Sequence, residues 1–351
     1  MNKIKRILTV SALIVMLLLN TVSAYAQTAG DGTNTTQIYL PLVTNGNNAT
    51  ADIIPGQYIV VFKDELVASA SVSAIADAMA SSYGGQLLQT YDAALNGFAV
   101  KFAAETGANA AAALSQDSRV AYVEPDRVVS IADENAVDAP QINTQTGAPW
   151  GLDRINQPAL PLDGRFTYNA NGTNVNAYII DTGIHTSHSQ FGGRASYGYD
   201  AVDGSLPADD CNGHGTHVAG TVGGSTYGVA KNVRLIAVRV LDCAGSGSNS
   251  GVIAGVNWVK QQKQNHPTVP AVANMSLGGS FSSSLNQAVA SAITAGVTFA
   301  IAAGNSNANA CNYSPASVAT AITVGATASN DARASFSNYG TCLDISFRRW
   351  R

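Results

Sequence analysis

Charge is scarce in this chain of 351 residues: Asp, Glu, Lys and Arg make up 12% of it, and the formal net charge is −4. Basic residues cluster only in the first six and last four positions, so the electrostatic footprint of a nucleic-acid binder is missing. Cysteine is scarcer still, with four in all and none before Cys211. No C-x-x-C pair occurs, which argues against a zinc ribbon. No H-E-x-x-H occurs either, and the histidines spaced three apart in "HTSH" and "HGTH" lack that matched carboxylate pattern. The longest apolar run, "ILTVSALIVMLLL", falls short of the ~20 residues a membrane span needs.

Hydrophobic residues, by contrast, make up 46% of the chain, enough for a sizeable core, and the length of 351 residues suggests more than one folding unit. Lys3, Lys5 and Arg6 precede that apolar run, and Ala24-Tyr25-Ala26 follows it as a small-x-small cleavage site. Residues 1–26 are therefore expected to be a signal peptide, with a secreted product and no membrane partner once it is removed. Cys211, Cys243, Cys311 and Cys342 suit an oxidising destination. Four cysteines allow three pairings, and the sequence alone does not choose.

Residues 27–51 read as a Thr-, Asn- and Gly-rich linker holding one apolar patch, "IYLPLV", which is either a strand or a docking segment. Residues 52–131 predict a small α+β domain. "QYIVVF" is strand-like, "ASASVSAIADAMASSYGG" is a helix closed by Gly84-Gly85, and "LNGFAVKF" is a strand after Asn96-Gly97. "AAALSQDSRVAYVEPD" is a helix, a turn and a strand ended by Pro125. The order strand-helix-strand-strand-helix-strand is ferredoxin-like. Residues 132–149 are polar with two prolines, a linker open to proteolysis, with a processing cut expected within Ala139 to Ala148.

From Trp150 the runs "NVNAYIID", "VRLIAVRVLD", "AVANMSL", "GVTFAIAAG" and "TAITVGA" alternate with the helix-like "SGVIAGVNWVKQQKQ" and "SSLNQAVASAITAG". Short continuous apolar runs fit parallel strands buried on both faces. The alternation predicts an α/β, doubly wound domain over 150–351, with reactive groups beyond the carboxyl ends of its strands.

Three residues stand out, each at or just beyond a strand or opening a helix. Asp181 follows "NAYII", as a turn former or a buried orienting carboxylate. His214 lies in "CNGHGTHVAGT", where Gly213 and Gly215 allow close backbone approach before a helix. Asn305 lies in "AIAAGNS", where its amide either caps a turn or is aimed at a developing oxyanion. Taken one at a time, each is more often structural than catalytic.

Together, "YIIDTGI", "NGHGTHVAGT", "NMSLGG", "AAGN" and "FSNYG" resemble the subtilisin-like serine proteases (peptidase S8), in the proteinase K and aqualysin branch. The resemblance runs in order from about Trp150 to Ile345, and residues 52–131 are similar to that family's inhibitor I9-type propeptide. It implies an endopeptidase precursor acting on polypeptides, with Asp181 orienting an imidazole, His214 as general base, Asn305 as oxyanion donor and His217 as structural. It implies that Gly245, Ser246, Gly247, Ser276, Leu277 and Gly278 form the edges that pair with an extended substrate. The propeptide would be the enzyme's own intramolecular inhibitor and chaperone. The aqualysin branch implies the disulfides Cys211–Cys243 and Cys311–Cys342. The proteinase K pattern implies structural Ca²⁺ on Asp344 with the carbonyls of Ala319 and Ala321, and no organic cofactor.

Family members continue past "LDI" to a Gly-Thr-Ser-Met-Ala segment whose Ser is the nucleophile. Here "LDI" runs into "SFRRWR", and neither Gly-Thr-Ser nor G-x-S-x-G occurs. The expectation is a frameshifted or truncated subtilisin-like sheet, C-terminally incomplete and inactive as written. The alternative is a non-catalytic secreted pseudoprotease that binds protein.

Overall fold

The structure, a computed structural model, describes residues 52–63, 72–103, 105–131, 145–168 and 170–345, and the backbone of Gln37–Ile38. The expected signal peptide, most of both linkers and the tail from Ser346 lie outside the described residues.

Gln37–Ile38 (β1) pairs in parallel with Tyr122–Val123, so the apolar patch begins as a strand. Ile53–Phe62 (β2), Val72–Ser82 (α1), Gln86–Tyr91 (β3), Gly97–Lys101 (β4), Gly107–Leu114 (α2) and Val120–Ile131 (β5) then follow. The strands lie in the order β5-β2-β4-β3, and each of these pairs is antiparallel, the ferredoxin-like arrangement. Gly84 ends α1 at φ +72°, a left-handed cap in which the Gly85 amide donates back to the Ala80 carbonyl. One face of this sheet packs on α1 and α2 through Val60, Phe62, Phe98, Val100, Met79 and Leu114.

The predicted stop at Pro125 is corrected by the structure: β5 continues through it to Ile131. Proline is tolerated in a strand where its missing N–H is not needed by a ladder. On the side of β5 away from β2, pairing covers Tyr122–Val123 and resumes at Val128, passing over Pro125.

The second region holds Trp150–Ile155 (α3), Asn176–Asp181 (β6), Ala195–Asp200 (β7), His214–Gly223 (α4), Arg234–Arg239 (β8), Ser246–Ser248 (β9) and Asn249–Asn265 (α5). Ala271–Met275 (β10), Leu277–Ser280 (β11), Ser283–Thr294 (α6), Val297–Ala302 (β12), Tyr313–Ser314 (β13) and Ile322–Val324 (β14) complete it. Six strands form a parallel sheet in the order β14-β12-β10-β6-β8-β7.

Side chains alternate across this sheet. Tyr178, Ile180 and Val238 face the core shared with α5 and α6. Ala177, Ile179, Leu235 and Ala237 face α4 through Val218 and Ala219. Burial on both faces therefore holds for β6 and β8. It fails for β10 and β12: Ala273, Met275, Phe299 and Ile301 are buried, whereas Val272, Asn274 and Ala300 are half-buried and Thr298 is exposed. The prediction of two covered faces is corrected for these strands.

The other face of the inhibitor-like sheet meets α5 and α6 in the same core. Ile59, Val61, Tyr91, Leu95 and Val129 pack with Val252, Ile253 and Val256. Full burial of an aliphatic side chain stabilises by roughly 1.5–3 kcal/mol, so these residues dominate the association. Two carboxylates from β5 complete it at helix starts. Asp126 accepts from the Ser250 amide at 3.1 Å and from its hydroxyl, in the first turn of α5. Glu124 accepts from the Ser282 hydroxyl at 2.7 Å and the Ser284 amide at 3.3 Å, at the start of α6. Each carboxylate supplements a serine that caps its own helix, Ser248 for α5 and Ser282 for α6.

Candidate active site

Asp181 is the last residue of β6 and is fully buried. Its Oδ1 accepts from the Thr182 amide at 2.7 Å and meets Nδ1 of His214 at 2.7 Å. Burial pushes its carboxyl up, and the hydrogen bond to His214 opposes that push. His214 opens α4, and its imidazole is largely buried.

The two glycines beside His214 have different tasks. Gly213 adopts φ +104° as the N-cap, and nothing crowds its α-carbon. At Gly215 a Cβ would run into the Gly183 carbonyl, so a side chain there would hold α4 off the end of β6. His217 lies in the same helix.

Asn305 follows β12 and lines a cavity of about 480 Å³ together with Ser130, Ile131, Gly278, Gly279 and Gly304. The loop that carries it is fastened by Asn338 of "FSNYG", which is fully buried. The Asn338 side chain accepts from the Ser306 and Ala308 amides at 2.9 and 3.0 Å and donates to the Ala303 carbonyl at 2.8 Å. Its backbone amide donates to the Gly304 carbonyl at 2.8 Å. Asn338 is a residue that sequence reasoning missed, although the motif holding it had been singled out.

The predicted pairing edges are occupied by the protein's own strand. Val128, Val129 and Ser130 of β5 run antiparallel to Ser248, Gly247 and Ser246. Ser130 and Ile131 run antiparallel to Gly278 and Leu277, and the Ile131 amide donates to the Gly245 carbonyl at 3.1 Å. Ser276 lies outside this ladder, and its hydroxyl accepts from Asn274 at 3.0 Å. The last four residues of β5 thus form the middle strand between two edges, the hydrogen-bonding pattern of strand addition.

Cys211 is joined to Cys243, and Cys311 to Cys342. The first bridge ties the loop before α4 to the loop after β8. Asp344 sits against β14: its Oδ2 accepts from the Thr323 amide at 2.9 Å, and its own amide donates to the Thr323 carbonyl at 3.0 Å. Ala321 is buried and Ala319 is exposed nearby in sequence. Among the described residues, no group of three or more His, Cys, Asp or Glu side chains is placed to hold a metal ion. A site there would rest on one carboxylate and backbone carbonyls, an all-oxygen set that suits Ca²⁺. Among the described residues, no helix is long and apolar enough to cross a membrane.

Comparison with known proteins agrees with this architecture. The Subtilase family (Peptidase S8) matches residues 172–349, and Peptidase inhibitor I9 matches residues 57–132. Alkaline serine exoprotease A of Vibrio alginolyticus is 52% identical over 299 residues, which cover 83% of this chain and 54% of that protein. The chain thus spans about half the length of that relative. The extracellular serine proteinase of Thermus sp. (strain Rt41A) is 52% identical over 311 residues, covering 84% of this chain and 72% of the relative. A crystal structure of a cold adapted subtilisin-like serine proteinase is 58% identical and superimposes with a TM-score of 0.54, covering 56% of this chain and 71% of the other. A parallel α/β sheet carrying the Asp181–His214 pair, preceded by an inhibitor-type domain, together with these relatives, makes the chain a member of the subtilase family.

Proposed function

We propose that this chain is the precursor of a secreted serine endopeptidase, supplying the Asp–His half of an Asp-His-Ser triad and carrying its own inhibitor. The observation that supports this best is the 2.7 Å bond between Asp181 Oδ1 and His214 Nδ1. With Nδ1–H held by a carboxylate, the opposite nitrogen of the ring is the one left to accept a hydroxyl proton. In this reading a serine hydroxyl gives its proton to His214 as its oxygen bonds to the scissile carbonyl carbon. Asp181 stabilises the resulting imidazolium, and the Asn305 amide donates to the tetrahedral oxyanion. His214 then returns the proton to the leaving amine, and water releases the acyl group by the same steps.

The substrate is an extended polypeptide lying between Gly245-Ser246-Gly247 and Leu277-Gly278, as β5 does. Residues 52–131 act as intramolecular inhibitor and folding chaperone. Asp344, with the carbonyls of Ala319 and Ala321, would hold a structural Ca²⁺, which supplies charge for ligand oxygens to converge on. No organic cofactor is needed for this chemistry.

The nucleophile is not provided in a Gly-Thr-Ser setting by the 351 residues. Appending a family-like continuation that begins after Ile345 and includes Gly-Thr-Ser-Met-Ala should give casein hydrolysis. His214→Ala in that extended chain should abolish it, a loss of about 10⁴-fold or more by analogy with triad knockouts. Casein hydrolysis by the 351-residue protein itself, blocked by a serine-directed phosphonyl fluoride, would show that another serine acts.

A further inference from the structure

The first turn of α4 and the end of β6 are joined by a carboxylate that the proposed triad does not use. Asp210 Oδ1 accepts from the Thr182 hydroxyl at 2.8 Å, the Gly213 amide at 2.8 Å and the Asn212 amide at 3.0 Å. Its Oδ2 accepts from the amide and the hydroxyl of Thr216 at 2.8 and 2.6 Å. Burial would raise this carboxyl, but the donors from Thr216, Gly213 and Thr182 hold it below the usual carboxylate range. It stays ionised, so all its lone pairs remain available to donors.

These partners are the two ends of the Asp181–His214 bond. Thr182 follows Asp181 directly, and its amide donates to Asp181 Oδ1 at 2.7 Å. The Thr182 hydroxyl, while donating to Asp210, accepts from the Gly215 amide at 2.9 Å. Gly215 and Thr216 are the second and third residues of α4, directly after His214. Their amides are helix-start donors that need a cap, and the N-cap residue Gly213 has no side chain to offer one. Thr182 caps one amide and Asp210 the other. The chain directly after Asp210 is fixed as well, because Cys211 is bridged to Cys243.

We infer that Asp210 is a positioning residue of the proposed catalytic site: through Thr182 and Thr216 it fixes the end of β6 against the first turn of α4, and so sets the Asp181–His214 hydrogen bond. The inference rests on the reading of that pair as catalytic. A carboxylate that served only as a helix cap would support α4 without setting the Asp181–His214 geometry. In Asp210→Asn, one oxygen is replaced by an NH₂ that faces amide donors in either orientation, that of Thr216 or those of Gly213 and Asn212, so the helix start must shift. In Thr182→Val, the carboxylate is kept and only the bridging hydroxyl is lost.

The test is the low-field proton on Nδ1 of His214, observed by NMR in the full chain labelled with ¹⁵N-histidine, with circular dichroism reporting the fold. The unsubstituted chain should show this resonance, and its absence would overturn the geometry on which the inference rests. Asp210→Asn and Thr182→Val should lose it to solvent exchange while circular dichroism is unchanged, and Thr182→Ser should keep it. Retention of the resonance in either folded variant would overturn the inference. If Asp210→Asn fails to fold, the Thr182→Val and Thr182→Ser pair decides. Hydrolysis does not enter this measurement, so failure to restore proteolysis leaves its result standing.

Discussion

Asp126 sits in a barrel of constraints that a surface aspartate never meets. It is fully buried on the seam between the inhibitor-like domain and α5. Burial pushes its carboxyl up to about 6, against the hydrogen bonds from Ser250 that pull it down. Glu124, also raised by burial, lies close enough to add to the push. A raised group gives stability that is complete below its ordinary range and is lost as pH climbs through its buried value. The docked arrangement should therefore weaken from about pH 4 to above pH 6, with Asp126 contributing up to about 3 kcal/mol. Asp126→Asn can still accept from the Ser250 amide, and it removes the charge. The full chain should lose melting temperature between about pH 4 and pH 7, and the substituted chain should lose clearly less. Equal losses would show that Asp126 is not the group responsible. Sequence reading did not find this residue, because Ser250 lies 124 positions away.

At the scale of elements, β5 is the segment whose reading changed most. Pro125 is a local stop signal, and the strand passes through it because pairing on the side away from β2 skips that residue, so its missing N–H costs no ladder bond there. Beyond it, Val128 to Ile131 complete a ladder with β9 and β11. The register ends at Ile131, beside the cavity that Asn305 lines. We therefore expect processing within the first three bonds after Ile131 rather than in Ala139 to Ala148. Amino-terminal sequencing of the active extended chain would decide, and a start within Pro140 to Ala148 would restore the earlier expectation. The long periodic runs, β6, β8, β10, β12, α5 and α6, were all legible, since each buries a continuous apolar face. β7, "ASYGYD", was not legible: it is a polar edge strand of that sheet. β9 and β13 have three and two residues, too few for any period to show. Asp181 and Asn305 were legible as ends of apolar runs and His214 as a histidine between two glycines before a helix, whereas Asp210 was not, because its partner Thr182 is 28 positions away.

Over the whole molecule, apolar cover is uneven. Among the described residues, the parallel sheet is sealed on the side of α5 and α6, and on the side of α4 only where β6 and β8 lie. Val272, Asn274 and Ala300 line a partly open apolar recess together with Ala177, Ile179 and Val222, and Ile322 on the outermost strand is 38% exposed. Such a surface takes up apolar probes and favours self-association. The 351-residue chain should enhance anilinonaphthalene sulfonate fluorescence at neutral pH, and Val272→Lys or Ala300→Lys should reduce that signal by about half or more. Fluorescence unchanged by both substitutions would place the dye elsewhere.

The strand β5 pairs at once with β2 of the inhibitor-like sheet and with β9 and β11, and this makes a cut behind it an unusual event. Severing the chain after Ile131 breaks no hydrogen bond of either ladder and leaves the apolar contacts of β5 in place. What it changes is molecularity: a tethered neighbour at millimolar effective concentration becomes a ligand at its bulk concentration. Dilution then does what the cut cannot, and the lag before activity of the extended chain should shorten as the processed protein is diluted. A lag independent of concentration would mean that the freed domain is lost by its own proteolysis instead.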